Sequence, residues 1–290
     1  MKSGTRSRLV SVVIAVRNGG STIGEQLVAL RDQADDCDEI VIIDNGSVDD
    51  TRAVVESFCG QIRNLRLVDG EGLVGVSSVR NHAAAHTEGD LLWCDADDVV
   101  APGWVKAMIG GLDEHDIVGG AMEEYSLNGP FAIPRTGHTH GLACAWDFLP
   151  YAIGANSAVR REVIDGVGGW NPRYMRSGED VDLCWRALLA GFRIGFAPDA
   201  VVHYRHRSTA RTARAQQVGY GRTAAMLHRE YRPHGLRRGS IMDACRVWGK
   251  VVLLTPAALV NARQCIRWNA ALGYVWGTVS GAAIERSWPY

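Results

Sequence analysis

This sequence lacks an apolar run long enough to cross a lipid bilayer. The longest run near its C-terminal end, residues 251–260, contains Thr255 and Pro256, whereas a spanning helix needs about 20 consecutive apolar residues. A polar, basic segment at residues 1–8 precedes an apolar run at residues 9–16. This run is too short for a secretory signal or an anchor. We therefore expect a cytoplasmic protein, either in solution or peripheral at the inner face of the membrane.

Cysteine pairs at metal-binding or redox spacing are also missing. The seven cysteines form no CxxC motif, and several lie in apolar runs, where cysteine behaves as a small hydrophobic residue. This pattern predicts free thiols in a reducing compartment. The composition, with 47% hydrophobic and 22% charged residues in a chain of 290, excludes disorder and predicts one large or two small globular domains.

An excess of charge of either sign is absent as well. The 31 basic and 32 acidic residues give no overall attraction to nucleic acid, and we expect no nucleic-acid partner. The basic residues are nevertheless unevenly distributed, and one arginine-rich segment favours contact with an anionic membrane or a lipid-phosphate acceptor. The members of that segment are Arg205, Arg207, Arg211, Arg214, Arg222, Arg229, Arg232, Arg237 and Arg238.

Four short apolar runs in the first half have the spacing of strand, crossover helix and next strand. Their near-continuous hydrophobicity indicates strands that are covered on both faces, as in a parallel sheet. Between the first two runs, Thr22 and Glu25 have the spacing of a helix capping box. The pattern predicts an α/β fold whose ligand crevice lies beyond the carboxyl ends of the strands. The four runs are residues 9–16, 40–43, 65–68 and 91–94.

Three carboxylates, those of Asp95, Asp97 and Asp98, directly follow the fourth apolar run. Negative charge at this density repels itself unless a cation lies between the side chains, and divalent ions prefer hard oxygen ligands. The motif therefore predicts a site for a metal and a nucleotide. The alternative is a solvated acidic turn after a buried strand, which is the commoner interpretation of an isolated Asp-x-Asp.

The second half of the chain is less regular. Residues 119–172, which include His138 and His140, show weak periodicity and predict long loops that form a candidate acceptor-binding surface. We expect two domains, a catalytic domain at residues 1–205 and a helical extension at residues 206–290 that packs on it or lies at a membrane surface. The regular elements predicted after this region are a helix at 179–190, a strand at 192–197, a basic helix at 208–231 and further helix at 241–283.

Eight segments form an ordered set of motifs, at residues 10–18, 41–51, 78–81, 89–98, 154–161, 168–170, 178–186 and 198–203. In this order they resemble the inverting glycosyltransferases of family 2, which have the nucleotide-diphospho-sugar transferase (GT-A) fold. The resemblance implies an α/β domain with a mostly parallel central sheet and flanking helices. It also implies metal-dependent, inverting transfer of a sugar from a nucleotide-diphospho-sugar to a carbohydrate or lipid-linked acceptor.

The resemblance also implies roles for individual residues. Asp44 takes the position that contacts the nucleobase and Asp95 the position that contacts the ribose. Asp97 and His203 take the positions of the ligands to Mn²⁺ or Mg²⁺. The residues expected to contact the nucleotide-sugar are Ala15, Arg17, Asp44, Arg80, Asp95, Ala96 and Asp97.

Each of these assignments has a structural alternative. Asp44 begins an Asp-Asn-Gly-Ser sequence, which is also good turn chemistry. Arg80, whose fork of donors suits a diphosphate or a base, has a surface ion pair as its alternative. His203 has a structural role as its alternative, and His206 is a nearby rival for the metal.

Inversion requires a carboxylate that removes a proton from the acceptor hydroxyl, and Asp180 is the candidate for this base. It is expected in the first turn of a helix, where the helix dipole favours the ionised form. The alternative is helix capping, with Glu179 or Asp182 as the base if the register is shifted by a residue. Trp170 is either a platform for a sugar ring or a core residue. The positions expected to line the donor and acceptor pockets are Asn156, Gly169, Trp170 and Glu179.

Two other functions compete with glycosyl transfer. A sugar nucleotidyltransferase on a related fold needs a glycine-rich, basic loop for a triphosphate, and residues 17–20 match such a loop only faintly. A non-catalytic nucleotide-sugar-binding protein has no need of a base, whereas this sequence contains Asp180 together with the acidic cluster and His203. Arg17 and Asn45 depart from the family's commonest residues, and they leave the nucleobase open.

Overall fold

The computed structural model describes residues 8–128 and 140–290 of the chain. Eight strands form one mixed sheet in the order β3-β2-β1-β4-β9-β6-β10-β5. Its strands are β1 (Val10–Val16), β2 (Glu39–Asp44), β3 (Leu65–Asp69), β4 (Asp90–Cys94), β5 (Val99–Val100), β6 (Ile117–Glu123), β9 (Asn156–Val159) and β10 (Ile194–His203). Two short strands, β7 (Ala143–Cys144) and β8 (Pro150–Tyr151), lie outside this sheet.

The four apolar runs of the first half form β1 to β4, as the sequence predicts. Strand β1 pairs in parallel with both β2 and β4, and β2 pairs in parallel with β3. Alternate residues of β1 enter two different hydrophobic clusters, with Val12 and Ile14 in one and Val13 in the other. The sheet is therefore covered on both faces at β1, which explains why this strand is almost continuously apolar.

The helices associated with this sheet are α1 (Ile23–Arg31), α2 (Thr51–Cys59), α3 (Val76–Ala85), α4 (Trp104–Glu114), α5 (Arg161–Val167) and α6 (Glu179–Leu189). Helix α6 begins at the predicted residue. The predicted capping box of α1 is wrong: Thr22 makes no side-chain cap hydrogen bond. Its hydroxyl instead donates to the carbonyl of Gly19 at 3.2 Å.

The described part of residues 119–172, where the sequence predicts long loops, also includes regular elements. It contains most of β6, all of β9 and helix α5, and β9 pairs antiparallel with both β4 and β6. The glycines of β6 serve close packing, because a Cβ atom on Gly120 would overlap the carbonyl oxygen of Ala200. Residues 129–139, with the candidate His138, lie outside the described residues, and His140 is exposed.

The strand predicted at residues 192–197 is β10, which begins two residues later and continues to His203. It pairs in parallel with β6 and antiparallel with β5, with a register shift between Ala197 and Val201. The continuation matters for the site, since it places His203 opposite Val99, the residue after Asp98.

The chain divides into two compact units by its internal contacts. Among the described residues, the first contains 8–128, 140–143, 149–175 and 179–206, and the second contains 144–148, 176–178 and 207–290. None of the seven cysteines, all of which lie in the described part of the chain, forms a disulfide.

The second unit consists mainly of three helices, α7 (Ala210–Tyr231), α8 (Ile241–Ala258) and α9 (Ala262–Glu285). The single helical segment predicted at 241–283 is therefore two helices, because the Asn261 side chain accepts hydrogen bonds from the backbone of Arg263 and Gln264 and begins a new helix. Close approach of α7 and α9 requires glycine at Gly221 and Gly277. Within the described ranges, no helix has both the length and the apolar character that crossing a membrane demands.

Candidate functional site

The carboxyl ends of β1 and β2 lead into two loops that are tied together. Asn18, which has a φ of 54°, accepts a hydrogen bond from the backbone of Val48 at 2.9 Å and donates its own backbone N–H to Ser47 Oγ at 2.9 Å. Ala15 is half-buried in β1, and Arg17 is exposed where the strand ends. These loops lie at the carboxyl edge of the sheet, where ligands bind in α/β folds of this kind.

Asp44 ends β2 with a fully buried side chain. Its Oδ1 accepts a hydrogen bond from the backbone of Ser47 at 3.0 Å, and its Oδ2 lies 3.1 Å from Arg52 Nη1. The turn that the sequence offers as an alternative is therefore formed. Contact with a nucleobase stays a prediction for this residue.

The carboxylates of Asp95, Asp97 and Asp98 converge just beyond β4. One oxygen from each lies within 4.8 Å of the others, with Asp95 and Asp97 half-buried and Asp98 buried. Carboxylate oxygens in this number are the ligands that Mg²⁺ and Mn²⁺ prefer. The residues present thus fit a divalent ion, and Ala96 lies buried between them in sequence.

Arg205 makes two hydrogen bonds to the acidic loop and a third to Glu25 on α1. Its backbone N–H donates to Asp98 Oδ1 at 2.7 Å, and its Nε donates to the carbonyl of Asp97 at 2.8 Å. Its Nη2 donates to Glu25 Oε2 at 2.7 Å. A cation beside three carboxylates also offsets part of their mutual repulsion.

His203 ends β10 beside this loop, and its Nδ1 lies 2.7 Å from Glu123 Oε2. Its imidazole is not among the ligand atoms that lie within 4.8 Å of one another in the acidic cluster. Burial raises the pKa of Glu123, but hydrogen bonds from His203, Ser126 and the backbone of Tyr125 outweigh burial and lower this pKa to about 2. Glu123 is therefore an ionised acceptor that fixes the orientation of the ring. The rival His206 packs its ring edge-on against Tyr204 at 5.4 Å.

Arg80 lies on α3 and is only 6% exposed. Its Nη2 donates to the carbonyl of Gly154 at 3.1 Å, its Nε is 3.3 Å from Glu179 Oε1, and its guanidinium carbon lies 4.5 Å from the ring centre of Trp93. The alternative of a surface ion pair is wrong, since the pair is buried. Contact with a diphosphate stays a prediction, and the structure adds a second role, which is to position Gly154 and Glu179.

Asp180 occupies the first turn of α6 and is half-buried. Its Oδ2 accepts a hydrogen bond from the backbone N–H of Gly154 at 2.9 Å, and its Oδ1 accepts one from the backbone of Val181 at 2.8 Å. These two hydrogen bonds fix the orientation of the Asp180 side chain at the start of α6. The alternative base Asp182 is fully buried and bound to Arg186 at 2.7 Å, which leaves no access to a substrate.

The neighbouring Glu179 is buried and has a different electrostatic environment. Burial, followed by the charge of Asp180, raises the pKa of Glu179 to about 7, and the charge of Asp95 acts in the same direction. Arg80 opposes these effects. A buried carboxyl group with a raised pKa beside another carboxylate is typical of acid–base sites.

The raised pKa of Glu179 predicts a pH dependence of stability. The ordinary pKa of glutamate is 4.5 and the pKa of Glu179 in the folded chain is about 7, so between these pH values the folded state keeps a proton that the unfolded state releases. The free energy of unfolding should therefore fall as the pH rises through this window. Urea unfolding at several pH values should show a smaller fall in Glu179→Gln than in the native chain, and an unchanged slope would contradict the prediction.

The expectation that Asn156 lines a pocket is wrong. The side chain is completely buried at the start of β9, where Nδ2 donates to the carbonyls of Ala121 and Ala200 at 2.8 and 2.9 Å. Its Oδ1 accepts a hydrogen bond from Trp104 Nε1 at 2.8 Å. Asn156 thus joins β6, β10 and α4 in the core and has no exposed surface for a ligand.

Replacing Asn156 with alanine should therefore destabilise the fold. The change leaves three buried polar groups without this partner, and each such group costs about 1–3 kcal/mol, so we expect a loss of at least about 3 kcal/mol in the free energy of unfolding. Urea denaturation checks this value. The exposed Gln61→Ala is the matched control, and similar losses in the two variants would contradict the structural role.

Gly169 and Trp170 also belong to the packed interior. Trp170 is 2% exposed and meets the ring of Trp93 edge-on at 5.3 Å, so the core alternative is the one the structure shows. Gly169 has a φ of 74°, and a Cβ atom there would lie 2.6 Å from Asn81 Oδ1. Gly169 and Trp170 are both closed to solvent, although Trp170 borders a small cavity together with Arg80 and Asp180. Contact of these two residues with a sugar stays a prediction.

Two family profiles match the sequence. The profile described as Glycosyl transferase family 2 covers residues 11–168, which is more than half of the 290 residues. The chain belongs to this family. A second profile, described as Glycosyl transferase family group 2, covers residues 91–276 and so includes Asp180 and His203.

Curated family 2 relatives match over most of this chain. The pre-mycofactocin glycosyltransferase of Mycobacterium tuberculosis is 29% identical over 236 residues, which are 78% of this chain and 48% of that protein. Glycosyltransferase AglE of Haloferax volcanii is 28% identical over 199 residues, or 66% of this chain and 65% of that protein. The chain thus spans about half the length of the first relative.

Solved structures show that this family 2 chain has the GT-A fold. The mannosyltransferase PcManGT from Pyrobaculum calidifontis, in complex with GDP-Man and Mn2+, has a TM-score of 0.66 at 18% identity, with 96% of this chain and 88% of that chain covered. S. aureus TarS 1-349 in complex with UDP-GlcNAc has a TM-score of 0.55 at 18% identity, with 96% and 92% covered.

The sequence did not predict the roles of three residues of the site. Arg205 appears in the sequence only as one member of a basic segment, although it binds the acidic loop. Glu123 lies 80 residues before its partner His203, and Arg52 lies on α2, close in sequence to its partner Asp44 but outside the motif that contains it. A pairing of β6 with β10 would have indicated Glu123, because that register sets it beside His203.

Proposed function

We propose that the chain transfers a glycosyl group from a nucleotide-diphospho-sugar to an acceptor hydroxyl, with a divalent metal and with inversion at the anomeric carbon. The convergence of Asp95, Asp97 and Asp98 within 4.8 Å at the carboxyl ends of the strands is the observation that carries the proposal. The ligands named for the similar structures, GDP-Man with Mn2+ and UDP-GlcNAc, support the donor class.

The acidic cluster is the proposed metal site. Asp97 would bind Mn²⁺ or Mg²⁺ directly, Asp95 would contact the ribose, and Asp98 would orient either. The ion, when bound, neutralises charge on the departing nucleoside diphosphate. We also propose His203 as a ligand. When Nδ1–H donates a hydrogen bond to Glu123, the free lone pair of the ring is on Nε2. In this tautomer Nε2 can bind a metal ion.

Glu123 provides a direct test of the proposed role of His203. Glu123→Gln should weaken Mn²⁺ binding about 10–100-fold, because residues that orient a ligand typically contribute this much. Titration calorimetry with Mn²⁺ and a nucleoside diphosphate measures the effect, and the exposed Glu88→Gln is the control. Native affinity in Glu123→Gln would remove His203 from the proposed ligand set.

Asp180 is the proposed base. As the acceptor oxygen attacks the anomeric carbon, its proton passes to the Asp180 carboxylate, and the bond from that carbon to the diphosphate oxygen breaks with the electron pair leaving on the diphosphate. The hydrogen bond from Gly154 holds the side chain in place. Glu179, with its raised pKa, helps to keep a second full negative charge away from the base near neutral pH.

The donor is proposed to lie along the edge formed by the ends of β1, β2 and β4. Asp44 and Arg17 would contact the nucleobase. Ala15 and Ala96 have small side chains and would leave space beside the ribose, and Arg80 would contact the diphosphate. The proposed acceptor is a carbohydrate or a lipid-linked glycan. A lipid-linked product would partition into organic solvent, whereas a carbohydrate product would stay in the aqueous phase.

A panel of nucleotide sugars with Mn²⁺ tests the function. Transfer with inversion predicts release of nucleoside diphosphate and, from an α-linked donor, a β-linked product, which the anomeric proton coupling in NMR spectra identifies. Thermal shift with the same nucleotides reports binding separately, since a ligand stabilises the state that it binds. Binding without any metal-dependent release of nucleoside diphosphate would instead indicate a non-catalytic binding protein.

A further inference from the structure

Helix α8 exposes an apolar face along most of its length. Met242, Trp248, Val252 and Leu253 are each at least half exposed, and Leu253 reaches 79%. The face continues into the connection to α9, where Leu259 is 82% and Val260 is 87% exposed. We call these six residues the open face. Contiguous exposed apolar surface of this kind is unusual unless something binds it.

The geometry of the helix explains why these side chains share one side. At about 100° per residue, Met242, Val252 and Leu253 fall within one sector of α8, together with Trp248 at its margin. The opposite sector contains Val247, which is half-buried as the other residues of that sector are. The members of the opposite sector are Ala244, Val247, Val251, Leu254 and Ala258.

The opposite sector of α8 is attached to α9. Trp268 on α9 donates from Nε1 to the carbonyl of Val251 and to Thr255 Oγ1, at 3.1 Å in each case. A rotation of α8 that buried the open face against α9 would break both interactions. One side of α8 therefore packs against α9, and its open face remains exposed.

The charges around the open face are predominantly positive. Arg246, Lys250, Arg263 and Arg267 are exposed on α8 and the start of α9. The only acidic residue between positions 241 and 284 is Asp243, and it is bound to Arg246 at 3.1 Å. Apolar side chains flanked by cations complement the acyl boundary and the phosphates of an anionic lipid surface.

We propose that the open face docks α8 and its connection to α9 onto the surface of an anionic phospholipid bilayer. The side chains enter the boundary between headgroups and acyl chains, at a depth of about 5–10 Å, and the cations stay among the phosphates. The helices lie on the membrane and do not span it, which agrees with their length and polarity among the described residues. This inference does not rest on the proposed transfer reaction.

Flotation of the full chain with vesicles tests the proposal. We expect binding to vesicles of phosphatidylcholine with phosphatidylglycerol that exceeds binding to phosphatidylcholine alone and that weakens with added salt. The double variant Leu253→Asp/Val260→Asp should lose at least about tenfold in bound fraction. Val28→Asp, an exposed apolar residue of α1, is the matched control and should bind as the native chain does.

The role of the cations and the depth at which α8 enters the bilayer are tested separately. Lys250→Glu should weaken binding to anionic vesicles more than about fivefold, since removal of one cation alone costs this much, whereas Arg31→Glu on α1 should not. Brominated lipids should quench native tryptophan fluorescence more than that of Trp248→Phe. All variants replace exposed side chains, and circular dichroism confirms that they fold.

Three results would overturn the proposal. The first is equal binding of the open-face variant and the native chain, and the second is no preference for anionic vesicles. The third is a dimer in analytical ultracentrifugation that Leu253→Asp/Val260→Asp converts to a monomer without lipid, because the open face would then be an interface between two copies of the chain.

Discussion

Replacing Asp180 with asparagine is expected to lower kcat for glycosyl transfer by about 10²–10⁴-fold, the usual contribution of a general base. The amide retains an oxygen for the hydrogen bond from Gly154 and is nearly equal in size, so the fold and the KM for the donor should change little. It has no basic oxygen that can accept the proton of the acceptor. Steady-state kinetics with saturating Mn²⁺ separates the effect on kcat from the effect on KM.

The control for this variant is Asp165→Asn, an exposed carboxylate on the neighbouring α5. It should retain native kcat. If Asp180→Asn keeps native turnover while Glu179→Gln loses it, the base is Glu179 and the proposed register of the site is wrong by one residue. Loss of kcat together with loss of thermal stability would point to a structural role at the start of α6.

Replacing Asp97 with asparagine is expected to weaken Mn²⁺ binding by more than about 100-fold, because even residues behind a ligand contribute about 10–100-fold. The carboxylate is half-buried beside Asp95 and Asp98, and its removal takes one negative charge from a site whose affinity comes from charge and oxygen ligands. Transfer should fall in parallel, since the leaving diphosphate loses its neutralising partner.

Electron paramagnetic resonance of Mn²⁺ measures this binding without any turnover. Asp35→Asn, an exposed carboxylate outside the site, is the control. The melting temperature of the chain without metal should stay the same or rise in Asp97→Asn, because one of three mutually repelling carboxylates is removed. Native Mn²⁺ affinity in this variant would refute the metal site.

The sequence was sufficient where the physical cause is local. The strands β1, β2 and β4 were predictable because nearly all of their residues are buried on both faces, which gives each of them an apolar run that is visible in the sequence. The acidic cluster was predictable because three carboxylates within four residues of the sequence must lie close together in space. Helix α6 was predictable from its apolar spacing, and with it the place of Asp180 in the first turn.

Sequence reasoning failed where a residue's surroundings come from distant segments. Asn156 and Trp170 resemble ligand-binding positions in sequence, yet β6, β10 and α3 enclose them, and every polar atom of the Asn156 side chain is bound to the protein. Gly120 resembles a loop residue, although it allows close approach to the strand that contains Ala200. A local sequence pattern does not show which residues will be buried by segments that lie far away in the sequence.

The amino-acid sequence by itself determined the α/β class, the family, the acidic cluster and the carboxylate at the start of α6, because each depends on residues close together in the chain. Only the tertiary structure decided that Arg80 is buried between Trp93 and Glu179, and that Glu179 has a pKa of about 7. It alone also joined Glu123 to His203 and Arg205 to the acidic loop. These properties arise from burial and from charges brought together across long separations in sequence, and only folding creates both.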